Sequence, residues 1–320
     1  MKNNTKSAVS HKLLRKIPSG IKPADYITNV LGLSKESVYR RLKGTIPFSF
    51  EEMLCLAANL DFSMDELFKG FGDNRSAFNL QNNKLIGNEN GFVSTLKDHC
   101  DTMESIYKAE SNQIIMSTNC ILAVFTWAFD NLFKFCYYKW LHQFGNTPLN
   151  FYFSDLNITE EITNLKNRAI SYSTAPNIVL ITDRNFLNNT IKEIKYYQER
   201  GLISYDETLV LKSELKTFVE SFFRFSPYGI SQRKNQYEIY LSSLNVENNT
   251  SYISYDNKFL SYYWMHSNSC VYTSDPKLCE LQKDWLESLK KYSILISHSN
   301  QKMQAELYNE HLAQLEKLSE

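Results

Sequence analysis

The sequence has no paired metal ligands, no nucleophile motif and no hydrophobic run long enough to cross a membrane. The six cysteines, Cys55, Cys100, Cys120, Cys136, Cys270 and Cys279, include no C-x-x-C pair, and none stands near a histidine at zinc spacing. Free cysteine in apolar surroundings behaves as a small hydrophobe, which fits a reducing compartment. None of the six histidines forms an H-E-x-x-H or H-x-K pattern, and G-x-S-x-G, the Walker loop and G-x-G-x-x-G are missing. Glu160-Glu161 reads as charge at a helix start rather than as an acid–base pair. The expectation is a protein that is not an enzyme and takes no cofactor or metal. The run Cys120–Phe129 is apolar, but Asp130, Asn131, Lys134 and Lys139 follow it, and a span needs about 18–20 uncharged residues. The N-terminus, MKNNTKSAVSHKLL, has no apolar signal core. A cytoplasmic protein without a membrane partner is expected, and no fixed-period repeat is found.

Net charge is also absent, at 35 basic against 35 acidic residues, but the balance is uneven along the chain. Residues 1–70 hold 11 Lys and Arg against 7 Asp and Glu. Within residues 1–47 the only acidic residues are Asp25 and Glu36. A basic N-terminal module on a mildly acidic body suits a polyanionic partner. Hydrophobic residues make up 43% of the 320 positions and aromatics 14%, enough to build a real core. At this length about two domains are expected.

Punctuation along the chain divides it. A short helix over 8–17 ends at Pro18-Ser19-Gly20. Pro23 suits a first helical position, and Gly32 stops the helix Ala24–Leu31. Ser34 caps Lys35–Lys43, Ser49 caps Phe50–Asn59, and Ser63 caps Met64–Phe68. Residues 69–91, rich in Gly and Asn, read as a linker. Helical patterns fill 92–144, 158–172, 184–200 and 206–224. From Gln236 the texture turns β-rich, and Tyr237–Leu244, Ser251–Tyr255 and Phe259–Met265 read as an antiparallel meander. Two helices close the chain, from Asp275-Pro276 to Tyr292 and from about Asn300 to Leu318. The expected fold is therefore mainly α. It comprises a five-helix helix-turn-helix domain over 1–68, a linker over 69–91, and a mostly helical domain over 92–320 holding a small antiparallel meander.

The segment GLSKESVYRRLKG, residues 32–44, carries the function. A helix ended by Gly32, with Leu33-Ser34 as the turn, brings the next helix on steeply, in the geometry that lays a second helix in the major groove. On that helix Val38 and Leu42 face the core. Ser34, Lys35, Glu36, Ser37, Tyr39, Arg40 and Lys43 remain as candidate DNA contacts, Arg and Lys to guanine or phosphate and Tyr to phosphate or a thymine methyl. Residues 22–68 resemble the XRE-type helix-turn-helix of Cro and phage repressors. The matching positions are Ile27, Leu31-Gly32-Leu33-Ser34, Ser37-Val38, Arg40 and Gly44, then the run from Glu52 to Phe68. Three positions depart from that pattern: Ala24 where the family often has a phosphate-binding Gln, Thr28 where a small Ala is usual, and Arg41 where an apolar residue is common. The run YTSDPKLCELQKDWLESLKKYSILIS, after the meander, is similar to effector domains with a degenerate phospholipase-D-like fold.

The resemblance implies a sequence-specific transcriptional regulator with double-stranded DNA as its partner. The alternative is a protein-interaction or antitoxin-like module that uses the same fold structurally. One helix-turn-helix reads a half-site, so a homodimer is expected. The last helix carries Tyr308, Leu312, Leu315 and Leu318 as a stripe that suits intramolecular packing or a dimer seam. Two aromatic clusters, Phe125–Trp140 and Tyr252, Tyr255, Tyr262, Tyr263 and Trp264, are either core or the walls of a pocket for a small-molecule or peptide effector.

Overall fold

A computed structural model describes residues 10, 13, 14, 16, 17, 20–60, 62, 64, 78–80, 89–144, 147–172, 177–225, 237–246, 249–266, 269–297 and 300–318. The chain forms two compact units, Met1–Ala77 and Phe78–Glu320.

The first unit contains α1 (Pro23–Leu31), α2 (Lys35–Leu42) and α3 (Phe50–Asn59). Its core gathers Ile27, Val38 and Leu56 with Leu13, Met53 and Phe62. Of the five expected helices, the one over 8–17 is described only in part, with Ser10, Leu13, Leu14 and Lys16 helical. The one over 64–68 lies outside the described residues apart from Met64, as does most of the segment 69–91.

The second unit overturns the mainly α expectation. Among the described residues its centre is an eight-stranded mixed sheet in the order β1-β7-β6-β5-β2-β3-β4-β8. The strands are β1 (Asn79–Leu80), β2 (Asn112–Thr118), β3 (Ile178–Thr182), β4 (Tyr237–Ser242), β5 (Thr250–Tyr255), β6 (Lys258–His266), β7 (Ser269–Thr273) and β8 (Ser293–Leu295). The helices are α4 (Glu89–Lys108), α5 (Ala123–Thr126), α6 (Asp130–Phe144), α7 (Glu160–Tyr172), α8 (Asn188–Glu199), α9 (Tyr205–Phe225), α10 (Pro276–Lys291) and α11 (Gln301–Glu316). Strands β2, β3 and β4 are parallel, and the other pairings are antiparallel.

Two misreadings follow from one physical cause. Residues 112–118, expected within a continuous helical region, form β2, and Ile178–Thr182, expected as a connection, form β3. Both strands are buried on both faces over most of their length, so Ile114–Met116 and Ile178–Ile181 read as short apolar runs without the alternation of a half-exposed strand. The meander also differs from expectation. Tyr237–Ser242 pairs with β3 and β8 rather than with Ser251–Tyr255, and the antiparallel run is β5-β6-β7.

Each sheet face has its own helical cover. Ile115, Val179, Ile181 and Tyr252 meet Cys279, Leu286 and Leu289 of α10. On the opposite face Ile114, Met116, Leu180 and Ile253 meet Met103 and Ile106 of α4, with Phe222 of α9 packed alongside. Beyond that face lies a larger helical core, where Phe133, Phe135, Tyr138 and Trp140 of α6 are buried with Ile162, Ile194 and Leu215. The aromatic crowding of α6 is therefore core. The stripe of α11 is also spent internally: Leu315 and Leu318 are buried in this core, with Tyr308 and Leu312 packed against it. All six cysteines are free.

The first turn of α6 is capped from another helix. Glu214 of α9 accepts from the backbone N–H of Asn131 (3.1 Å) and of Leu132 (2.8 Å), and from the Asn131 side-chain amide (2.8 Å). A carboxylate there satisfies N–H groups that have no partner within their own helix and meets the positive end of the helix dipole. Replacing Glu214 by Ala should lower unfolding free energy by about 1–3 kcal/mol, the cost of stranding part-buried donors. A denaturant midpoint for Glu214→Ala equal to wild type would remove this cap as a stabilising contact.

Candidate nucleic-acid interface

Local sequence sets the turn between α1 and α2. Proline opens α1. Gly32 ends it at φ 66° and ψ 21°, the left-handed region that favours glycine, and its N–H donates to Thr28 O at 2.9 Å. Ser34 Oγ then accepts from the Ser37 N–H at 3.3 Å and starts α2 in a new direction. Val38 is fully buried, and Leu42 packs against the same core.

Arg41, the residue that departs most from an apolar pattern, locks α2 to α3. Its Nε donates to Glu52 Oε2 at 2.9 Å and its Nη2 to Glu52 Oε1 at 2.7 Å. Its Nη1 donates to Ser37 Oγ at 2.6 Å. Glu52 also closes the capping box of α3: its Oε2 accepts from the Ser49 N–H at 2.9 Å, while Ser49 Oγ accepts from the Glu52 N–H at 3.1 Å. Both charged side chains are largely shielded, at 14% and 17% exposed. The Arg41 guanidinium holds the Glu52 carboxyl below the usual range, and Glu52 in turn raises Arg41.

The seven candidate contact residues separate on this scaffold. Ser34, Lys35, Glu36, Tyr39, Arg40 and Lys43 are exposed. Ser37 is half-buried and its hydroxyl is held by Arg41. Ser34 is engaged in capping. Lys35 pairs with Asp25 at 2.6 Å, which lowers the carboxyl and raises the amine. Tyr39, Arg40 and Lys43 thus stand out as exposed side chains in the middle and last turn of α2 and at its cap. Sequence reasoning missed the role of Arg41. The signal was present, because an arginine among core positions needs a carboxylate, and Glu52 opens the next helix.

Thr28, the second departure, has a buried hydroxyl without a hydrogen-bond partner. It sits on α1 below the turn.

The second unit holds a cavity of about 150 Å³ between α4 and the sheet. His99, Thr102 and Met103, three and four residues apart on one face of α4, form one wall, and Ile114, Met116, Ser251 and Ile253 lie on the sheet side. Phe125, Trp127, Tyr262 and Trp264 from the two aromatic clusters also line it. The His99 and Trp127 rings meet edge to face at 4.4 Å between centroids. Burial pushes the His99 imidazole down to about 4, so it is neutral at physiological pH. Burial also holds the Tyr262 phenol well above its ordinary range, opposed in part by a hydrogen bond with Thr102. Sequence reasoning passed over His99. It stands in a His99-Cys100-Asp101 triplet, yet Asp101 is turned to Arg168 at 2.9 Å.

At the other end of the parallel strands, where open α/β sheets commonly bind ligands, polar side chains are tied to neighbouring groups. Asn119 donates to Val246 O at 2.7 Å, and Asn249 Oδ1 accepts from the Asn119 N–H at 2.9 Å. Asp183 accepts from the N–H of Asn185 at 2.8 Å and of Val246 at 3.2 Å. Among the described residues no group of three or more His, Cys, Asp or Glu could hold a metal ion, and no helix is long and apolar enough to cross a membrane.

The first unit is a helix-turn-helix. Residues 10–90 match the family model described as the BetR domain, a helix-turn-helix DNA-binding family. No curated protein matches the chain. Among solved structures, that of TrmBL2, an archaeal chromatin protein described with a novel mode of DNA binding, is similar at 12% identity. The alignment spans 89% of this chain and 80% of that one, with a TM-score of 0.23.

Two outcomes follow from the interface scaffold. Because the folded pKa of Glu52 is depressed, its pairing contributes stability above the ordinary glutamate range and loses it as pH falls through the folded value. Wild type should lose thermal stability of its N-terminal unit between about pH 5 and pH 3, and Glu52→Gln, which has no charge to lose, should show a flatter profile. Parallel profiles would mean that other carboxylates dominate. Thr28→Ala removes the unpaired hydroxyl and a β-branch, and should stabilise by about 0.5–1 kcal/mol in a denaturant series; a loss of stability would show that the threonine methyl is needed for packing.

Proposed function

We propose that this chain is a sequence-specific transcriptional regulator of the XRE type. It binds double-stranded DNA as a homodimer in the cytoplasm, through α2 and its cap. One observation carries the reading: Val38 and the Arg41–Glu52 pair hold α2 by its inner side, while Tyr39, Arg40 and Lys43 are left exposed on it. This is the division of labour a recognition helix needs, with rigid support behind and free donors in front. The match of residues 10–90 to a DNA-binding family supports it. Dimerisation is supported by half-site arithmetic, since one such helix covers only part of a palindrome. The α11 stripe is not the seam, because its leucines are occupied within the unit. The C-terminal unit senses a small-molecule effector, a role supported by the apolar cavity lined from both aromatic clusters. An effector changes DNA affinity only to the extent that it binds the DNA-competent and incompetent states differently.

Selection of bound fragments from genomic DNA by the full chain gives the operator. On that operator Arg40→Ala should cost about 1–3 kcal/mol if Arg40 contacts a base bidentately, and relax specificity at one position. Lys43→Ala should weaken all sequences alike and reduce the salt slope by about one. A double variant that binds like wild type overturns the assigned face. Light scattering that finds a strict monomer occupying a palindrome alone overturns the dimer.

A further inference from the structure

We infer that the cavity beneath α4 is a binding site for an uncharged, mainly apolar molecule the size of one aromatic ring. The inference deepens the sensing part of the proposed function and rests on it for its biological role, though the site itself is argued from its own geometry. Two features define the ligand. The first is size: the cavity measures about 150 Å³, a volume that accommodates one benzene-sized molecule where the walls are apolar. The second is charge: among the described residues no Asp, Glu, Lys or Arg lines it, and the histidine that does, His99, is neutral. An ion entering such walls would lose its hydration without compensation.

The aromatic wall adds shape selection. Trp127 meets His99 edge to face, and Tyr262 stacks on Tyr272 of β7 with centroids 5.4 Å apart. These contacts fix the rings that bound the space, so a planar guest meets preformed walls.

The test uses the full chain and four probes of similar size: acetophenone, toluene, benzoate and benzylamine. Thermal unfolding and the indole N–H resonances in ¹⁵N NMR are followed for each. Acetophenone and toluene are expected to raise the unfolding temperature and shift the Trp127 N–H resonance, because that ring is part of the wall; the two ions give no shift. Val124→Trp, at a half-buried wall position, fills the cavity and should abolish binding of both neutral probes. Failure of both neutral probes, binding of the ions as tight as of the neutral probes, or unchanged binding in Val124→Trp overturns the proposal. Operator affinity is measured in parallel with and without acetophenone. Probe binding with unaltered DNA affinity supports the site and overturns the sensing role, so the two failures are told apart.

Discussion

The organisation of the C-terminal unit depends on the burial of both faces of β2 and β3. A strand pair whose side chains all point into apolar surroundings needs a helical layer above and below. α10 supplies one layer and α4 the other, with α9 and α11 extending it over β4. The second layer then needs its own cover, because helices with apolar residues on nearly every side cannot face water. α6 is such a helix, and α7, α8 and α9 wrap it. The cavity arises where this hierarchy is incomplete, between α4 and the strands it shields.

In the N-terminal unit a polar contact plays the corresponding part. Val38 sits in the core, but one buried side chain fixes only one turn of a helix. The fork of Arg41 on Glu52 adds a directional clamp near the other end of α2 and joins it to the capping box of α3. A bidentate guanidinium–carboxylate pair constrains both distance and rotation. Rotation matters here, because residues 39, 40 and 43 face outward only while residues 38 and 41 face inward.

How much of this was legible depended on whether the determining contacts were local. Gly32, Ser34, Ser49 and Asp275 marked helix ends correctly, because capping is a matter of a few neighbouring residues. The helices over 160–172, 188–199, 205–225, 276–291 and 301–316 were visible through their amphipathic period. Strands β5 and β6 were legible from alternation and the turn at Asp256-Asn257, both residues at positive φ. The central strands were not. Ile178–Thr182 is five residues of apolar and threonine side chains, too short to separate from a buried helical turn by pattern. Its partners, 64 residues upstream at Ile114 and 59 downstream at Tyr237, are set by packing that no local window contains. The candidate contacts on α2 were legible as a set, but the inward turn of Ser37 needed the position of Arg41. The cavity was half legible: the aromatic residues were conspicuous, whereas His99 becomes notable only once α4 lies across the sheet.

The ends of the sheet carry a practical consequence. Among the described residues its two edge strands are minimal, two residues in β1 and three in β8. Short edges offer little unpaired backbone to a passing strand, which is how natural sheets resist end-to-end polymerisation. Asn79 and Leu80, which precede the helical part of the body by several residues, are what cover β7. A fragment of the C-terminal body begun at residue 92 would trim α4 and bare the backbone of β7 at Val271 and Tyr272, lengthening one free margin of the sheet. The natural cut is before Phe78.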